Sequence, residues 1–149
     1  MSRESVESIR RLAEGFFACR SEEDFEGWLA RAAERWDPEI EFDTSDFPFP
    51  DVRGISRGRQ AVERWWRDWL AAWGTLEADY ELRDAGDSVV LLLSQRMRGR
   101  SSGVEVPVWR YAAVITLRDG LITRWRIYAS QDEALAAAGL PRRSPTGAP

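Results

Sequence analysis

Histidine, lysine and asparagine are all absent from this 149-residue chain. Without histidine and with a single cysteine, the usual imidazole and thiolate metal sites are excluded, and with them the Ser-His-Asp and Cys-His catalytic sets. Without lysine there is no Schiff-base nucleophile. All 21 basic residues are arginines, whose charge is fixed at any working pH. Acid–base chemistry near neutrality is therefore left to Asp, Glu, Tyr, Cys19 or a bound water, and no metal or cofactor is expected. The lone Cys19 excludes an intramolecular disulfide and points to a cytoplasmic setting; on its helix face it reads as inert. No apolar run reaches the length of a membrane span, and the opening MSRESVESIRR, charged and without an apolar stretch, does not read as a signal peptide. The net charge is −4 with arginines interleaved among acids, so the basic stripe of a nucleic-acid binder is missing too.

What the chain does have is a core. Apolar residues make up 44% of it, enough for one domain, expected over residues 5–140 with 141–149 as a disordered tail. Val6, Ile9, Leu12, Ala13, Phe16 and Phe17 recur at helical spacing over 5–20. Ser21 and the acids after it open a second helix, with Phe25, Trp28, Leu29, Ala32 and Trp36 on one face, which Asp37-Pro38 ends. A short strand over 39–44 leads to Asp46-Phe47-Pro48-Phe49-Pro50, a rigid loop with two exposed-looking rings. A third helix from Gly58 to Gly74 carries Val62, Trp65, Trp66, Trp69, Leu70 and Trp73 as a stripe, of which Trp66 and Trp73 read as packing. From Thr75 the period becomes that of a strand, giving four long strands over 75–83, 88–100, 104–117 and 121–129. Asp119-Gly120 is the strongest hairpin signal. A short helix over 131–139 closes the series. Helices on one side of an antiparallel sheet make an α+β fold.

Four segments carry a family resemblance: Trp36 to Asp43 (WDPEIEFD), Gly58 to Val62 (GRQAV), Thr116 to Gly120 (TLRDG), and Asp132 to Leu135 with Gly139-Leu140. In this order the chain resembles the SnoaL-like family of the nuclear transport factor 2-like superfamily, over roughly Val6 to Leu140. The resemblance implies a cone-shaped barrel, three N-terminal helices on a strongly curved, mainly antiparallel sheet, with an apolar pocket inside and dimers common. Compared with ketosteroid isomerase, Asp43 matches the catalytic base, while the oxyanion positions fall on Phe16 or Phe17 and on Ala113. Compared with limonene epoxide hydrolase, Arg96 matches the arginine, but its two aspartates fall on Arg98 and Ile127; Asp43 and Glu41 take the places of its asparagine and tyrosine.

On the resemblance, the inward residues are Glu41 and Asp43; Val90, Leu92, Ser94, Arg96 and Arg98; Trp109, Tyr111, Ala113 and Ile115; and Trp125 and Ile127. The outer face of Val108, Arg110, Ala112, Val114, Arg124, Arg126 and Tyr128 suits a homodimer. Phe16, Phe17, Trp28, Trp65 and Trp69 close the cone and, with Glu41, Trp109, Tyr111 and Trp125, form the expected binding wall for a small apolar or aromatic molecule. A walled-in Asp43 is expected to titrate above its usual value of about 4 and to serve as general base, with Arg96 steadying an anion. The leading reading is a cofactor-independent isomerase, cyclase or hydratase acting on a carbonyl or cyclic metabolite. A non-catalytic ligand binder or accessory protein is the alternative, and a structural dimer module the third. The sequence leaves open whether Asp43 and Arg96 form a site or an ion pair, and whether Phe47 and Phe49 are a lid or a plug.

Overall fold

A computed structural model describes residues 2–142. Residues 143–149 of the expected tail lie outside the described residues. The order is α1 (Ser2–Ala18), α2 (Glu22–Ala33), β1 (Trp36–Asp43), a 3-10 turn at Pro50–Val52, β2 (Ile55–Arg57), α3 (Arg59–Ala72), β3 (Trp73–Asp84), β4 (Ser88–Gly99), β5 (Glu105–Arg118), β6 (Leu121–Tyr128) and α4 (Gln131–Ala137). Trp36 and Trp73, read as helix residues, instead begin strands. Both are aromatic residues that fit a pleated, half-buried surface. The short β2, too brief to show alternation, joins the sheet edge through Glu41, Phe42 and Asp43 of β1.

Local chemistry sets the boundaries. The Ser21 hydroxyl accepts from the Asp24 backbone N–H at 3.1 Å while the Asp24 carboxylate accepts from the Arg20 N–H, which caps α2 twice. Ser130 caps α4 in the same manner through the Glu133 N–H. Asp119 and Gly120 both hold positive φ, 54° and 81°, the left-handed pair that a two-residue hairpin between β5 and β6 requires.

The six strands form one strongly curved sheet in the order β2-β1-β6-β5-β4-β3. Among the described residues only β1 and β6 are parallel neighbours; the other pairs are antiparallel. The inner face packs on α1, α2 and α3 through Ile9, Phe16, Trp28, Leu29, Val62, Trp66 and Trp69, giving an α+β cone. A second, smaller core lies on the outer face, where Ala134 and Leu135 of α4 cover Val90, Leu92 and Ala112, with Val114 and Tyr128 at its rim. Part of the face expected to pair with a second copy is thus occupied by the chain's own C-terminal helix. Val108 remains 58% exposed beyond it.

The facing of two strands differs from expectation. On β4 the residues inside the cone are Val89, Leu91, Leu93, Gln95 and Met97, while Val90 and Leu92 belong to the outer core. On β1 the inner residues are Ile40 and Phe42, the latter level with Trp125 of β6 and in ring contact with it at 5.4 Å. Glu41 and Asp43 therefore point outward, level with Arg124 and Arg126. Strands β5 and β6 face as expected: Trp109, Tyr111, Ala113, Ile115, Trp125 and Ile127 pack into the inner core.

Candidate functional site: an aromatic chamber under the sheet

A cavity of about 50 Å³ lies between α1 and the inner face of β4, β5 and β6. Helix α1 supplies Ile9, Leu12, Ala13, Phe16 and Phe17, and α2 supplies Trp28. Trp66 and Trp69 come from α3, Leu91, Leu93 and Gln95 from β4, Tyr111 and Ile115 from β5, and Trp125 from β6. The helical period brings the α1 residues to one stripe, and the strand period brings alternate sheet residues to the same space. The rings pack edge to face: Phe16 against Trp28 at 4.9 Å, and Trp28 against Trp66 at 5.3 Å.

Among the expected wall residues, Phe16, Phe17, Trp28, Trp69, Tyr111 and Trp125 line this space. Trp65 and Trp109 do not. Trp65 donates its indole N–H to the Val52 carbonyl at 3.0 Å and packs on Phe42 and Phe47. Trp109 stacks on Tyr111 at 3.8 Å and meets Phe47 edge-on at 5.0 Å. Phe47 is not exposed. It is 4% accessible, wedged among Trp65, Trp69 and Trp109, with Phe49 beside it against Trp69 and Trp73, so the loop plugs that end of the cone. Trp66 and Gln95, which sequence reasoning passed over as packing and as an outward residue, are wall residues. The clue for Gln95 was present in Met97, the apolar member of its parity, set between Arg96 and Arg98.

The polar groups of the wall are few and neutral. The Tyr111 hydroxyl donates to the Gln95 side-chain oxygen at 2.5 Å, and burial pushes the Tyr111 pKa up. The phenol is thus a fixed hydrogen-bonding group rather than a base. Trp28 gives its indole N–H to the Leu12 carbonyl at 2.9 Å. Trp66 and Trp125 have buried indole N–H groups with no acceptor among the described residues.

The charged groups expected inside lie elsewhere. Arg96 is on the outer face, its side chain 48% exposed and 3.6 Å from Asp79. It cannot steady an anion in the chamber. Glu41 sits between Arg57 and Arg124, 3.4 Å from each. Asp43 is buried, but on the outer side of β1: its Oδ1 accepts from the Ser45 N–H at 2.9 Å, and Arg126 lies 3.9 Å away. Burial alone would raise its pKa, yet the hydrogen bonds from Ser45, helped by Arg126 and Arg124, hold the carboxyl below its ordinary value. The expected upward shift is reversed because the acid faces arginines and a turn, not tryptophans. Nor do Asp43 and Arg96 pair with each other. Among the described residues no cluster of His, Cys, Asp or Glu is arranged to hold a metal ion.

The comparisons with known proteins agree with this architecture. Among curated proteins none matches the chain. A protein from Jannaschia sp. CCS1 described as a SnoaL-like polyketide cyclase is 20% identical, with 94% of each chain covered and a TM-score of 0.68. A Bacillus subtilis protein described as an isomerase is also 20% identical, with 89% of this chain and 93% of that one covered, at a TM-score of 0.59. A Catenulispora acidiphila protein of ketosteroid isomerase-like fold, crystallised with trimethylamine, is 16% identical over 90% of this chain and 97% of that one, at a TM-score of 0.59. At such identities these structures share the fold. The sequence model of the SnoaL-like domain matches residues 13–125, from Ala13 of α1 to Trp125 of β6, and the chain belongs to the SnoaL-like domain family.

Proposed function

We propose that this chain is a receptor for a small organic molecule held in the aromatic chamber, and that it works by binding and orienting rather than by acid–base catalysis from an aspartate. The observation that carries the proposal is the wall itself: aromatic and aliphatic groups with neutral hydrogen-bonding side chains and no carboxylate, arginine or cysteine. A site with a few placed polar groups on an apolar surface is the ordinary form of a small-molecule pocket. Such a site can hold a carbonyl compound in one orientation. It has no group that would take a proton from carbon near neutral pH, which disfavours the isomerase, cyclase or hydratase reading built on Asp43.

The size of the free space narrows the ligand. An engineered apolar cavity of about 150 Å³ admits benzene. The chamber, at about 50 Å³, therefore suits a molecule smaller than benzene unless a wall residue moves. Titrating small ketones and hydrocarbons into the wild type and Asp43→Asn while following indole fluorescence tests the proposal. Equal affinity in both proteins is expected. Loss of affinity in Asp43→Asn, or ligand turnover that this variant abolishes, would return the acid to the centre of the function.

Pairing of two copies is proposed only over the uncovered end of the outer face around Val108, which sedimentation velocity of Val108→Glu against wild type checks. A cytoplasmic location is proposed on the lone Cys19. Among the described residues no helix is long and apolar enough to cross a membrane.

A further inference from the structure

A groove of about 200 Å³ runs between α1 and α2 and shares Leu12 and Trp28 with the chamber wall. Arg11 and Gly15 line it from α1, and Arg31, Ala32 and Arg35 from α2. On each helix the lining residues recur at i, i+3, i+4 and i+7, starting at Ser8 on α1 and at Trp28 on α2. One stripe of each helix therefore borders the groove. Gly15 permits the close approach of the two helices, since a Cβ there would meet Trp28 Cδ1 at 3.3 Å. None of the three arginine side chains has an ion pair or hydrogen bond among the described residues, although Arg10, next to Arg11, pairs with Glu7. The Arg31 guanidinium lies over Gly27, and its charge reaches Cys19 just past the end of α1.

Three like charges gathered on one groove repel one another. Arg31 and Arg35 are also four apart in sequence, the spacing at which like charges on a helix destabilise it. The helix dipole favours cations at the end of α2, but Arg11 lies in the middle of α1 and gains nothing from it. Elsewhere the arginines meet acids, as Arg67 meets Glu26 and Glu63. We propose that the α1–α2 groove binds a soluble phosphomonoester with an apolar organic part. Such a phosphate carries nearly two negative charges near neutrality and three acceptor oxygens, one for each guanidinium fork. A carboxylate has one charge and two oxygens. Leu12, Trp28 and Ala32 give the organic part an apolar floor, with Trp28 and Ala32 each 3% exposed. The chain's net charge of −4 opposes approach to an acidic membrane or a nucleic acid, so the phosphate belongs to a small molecule. This site goes beyond the chamber and stands whether or not the chamber is occupied.

Phenyl phosphate, inorganic phosphate and phenol, titrated into the full chain, separate the elements of the claim. The Nε–H resonances of Arg11, Arg31 and Arg35 report the groove. Methyl signals of Leu91 and Ile115, which line the chamber and not the groove, report the chamber. Phenyl phosphate is expected to move the arginine signals, to leave the methyl signals in place, and to bind about tenfold more tightly than either of the others. Arg11→Gln, Arg31→Gln and Arg35→Gln are each expected to weaken it about tenfold while melting like wild type. Arg64→Gln, at an exposed arginine of α3 that also lacks an ion pair, makes the same change in net charge and is expected to keep affinity within about twofold. Equal loss in Arg64→Gln would mean attraction by overall charge and no site. Inorganic phosphate binding as tightly would remove the apolar part of the ligand class, and phenol binding as tightly would remove the phosphate. Movement of Leu91 and Ile115 alone would put the ligand in the chamber, and no shift with phenyl phosphate would leave the groove a solvated face. Capture of the chain by phosphatidic acid vesicles without binding of phenyl phosphate would overturn the soluble ligand in favour of a membrane surface.

Discussion

Across β4 and β5, the Tyr111 hydroxyl reaches diagonally to the Gln95 side-chain oxygen on the inner face, while on the opposite face Gln131 donates to the carbonyls of Leu93 and Tyr111 at 3.1 and 3.2 Å. The two strands are therefore clasped at one level from both sides, beside the chamber. Removing one partner of a buried hydrogen bond leaves the other unmet, which is costlier than removing both. Tyr111→Phe and Gln95→Leu are each expected to lower stability by about 1–3 kcal/mol, with the double variant losing clearly less than the sum of the two. Urea unfolding of the four proteins measures this cycle.

The raised pKa of Tyr111 has its own consequence. In the unfolded chain a tyrosine ionises near pH 10, while the folded chain keeps Tyr111 protonated above that value. Stability contributed by the neutral phenol is therefore complete below about pH 10 and falls as pH rises beyond it. The alkaline limb of the stability profile is expected to be shallower in Tyr111→Phe than in wild type. An identical limb in both proteins would mean that the phenol is reached by solvent.

Asp43 acts at the other end of the pH scale. Its folded pKa lies below the unfolded value of about 4, so its contribution is present above that value and disappears as pH falls through the lower, folded one. Asp43→Asn is expected to cost on the order of 1 kcal/mol at neutral pH through the weakened Ser45 and Arg126 contacts. The difference from wild type should close on acidification. Denaturant unfolding from neutral pH to about pH 3 tests both the sign and the window.

Arg96 gives the contrasting result. Its ion pair with Asp79 is half-exposed, and such pairs contribute little. Arg96→Ala is expected to change stability by less than about 0.5 kcal/mol and to leave ligand affinity in the chamber unaltered. A loss of binding would place the guanidinium nearer the cavity than the outer face of β4.

These positions explain how far the sequence could be read. The helices and the hairpin at Asp119-Gly120 follow from period and turn chemistry, while the inward parity of Trp109, Tyr111 and Trp125 is what the family resemblance implies. In β1 the apolar Ile40 and Phe42 alternate with Glu39, Glu41 and Asp43 and face inward, whereas matching Asp43 to a catalytic base implies the opposite facing, and a one-residue change of facing moves every side chain to the other side. In β4 the run Val89 to Leu93 is apolar on both faces because α4 covers Val90 and Leu92, so alternation is erased there. The parity is legible only further on, where Gln95 and Met97 alternate with Arg96 and Arg98. The chamber's polar groups were hidden for a different reason: a tryptophan that packs and one whose N–H lacks an acceptor look alike until the neighbours are in place.

Ala13, on α1 at the chamber wall, offers the most direct test of the account. Ala13→Leu adds side-chain volume to the free space from a helix position that accepts leucine readily. A ligand bound to the folded chain raises its melting temperature. The account predicts that small neutral ketones raise the melting temperature of the wild type, and that the rise is lost in a folded Ala13→Leu protein. An equal rise in both proteins would contradict it, because the ligand would then be bound somewhere other than the aromatic chamber.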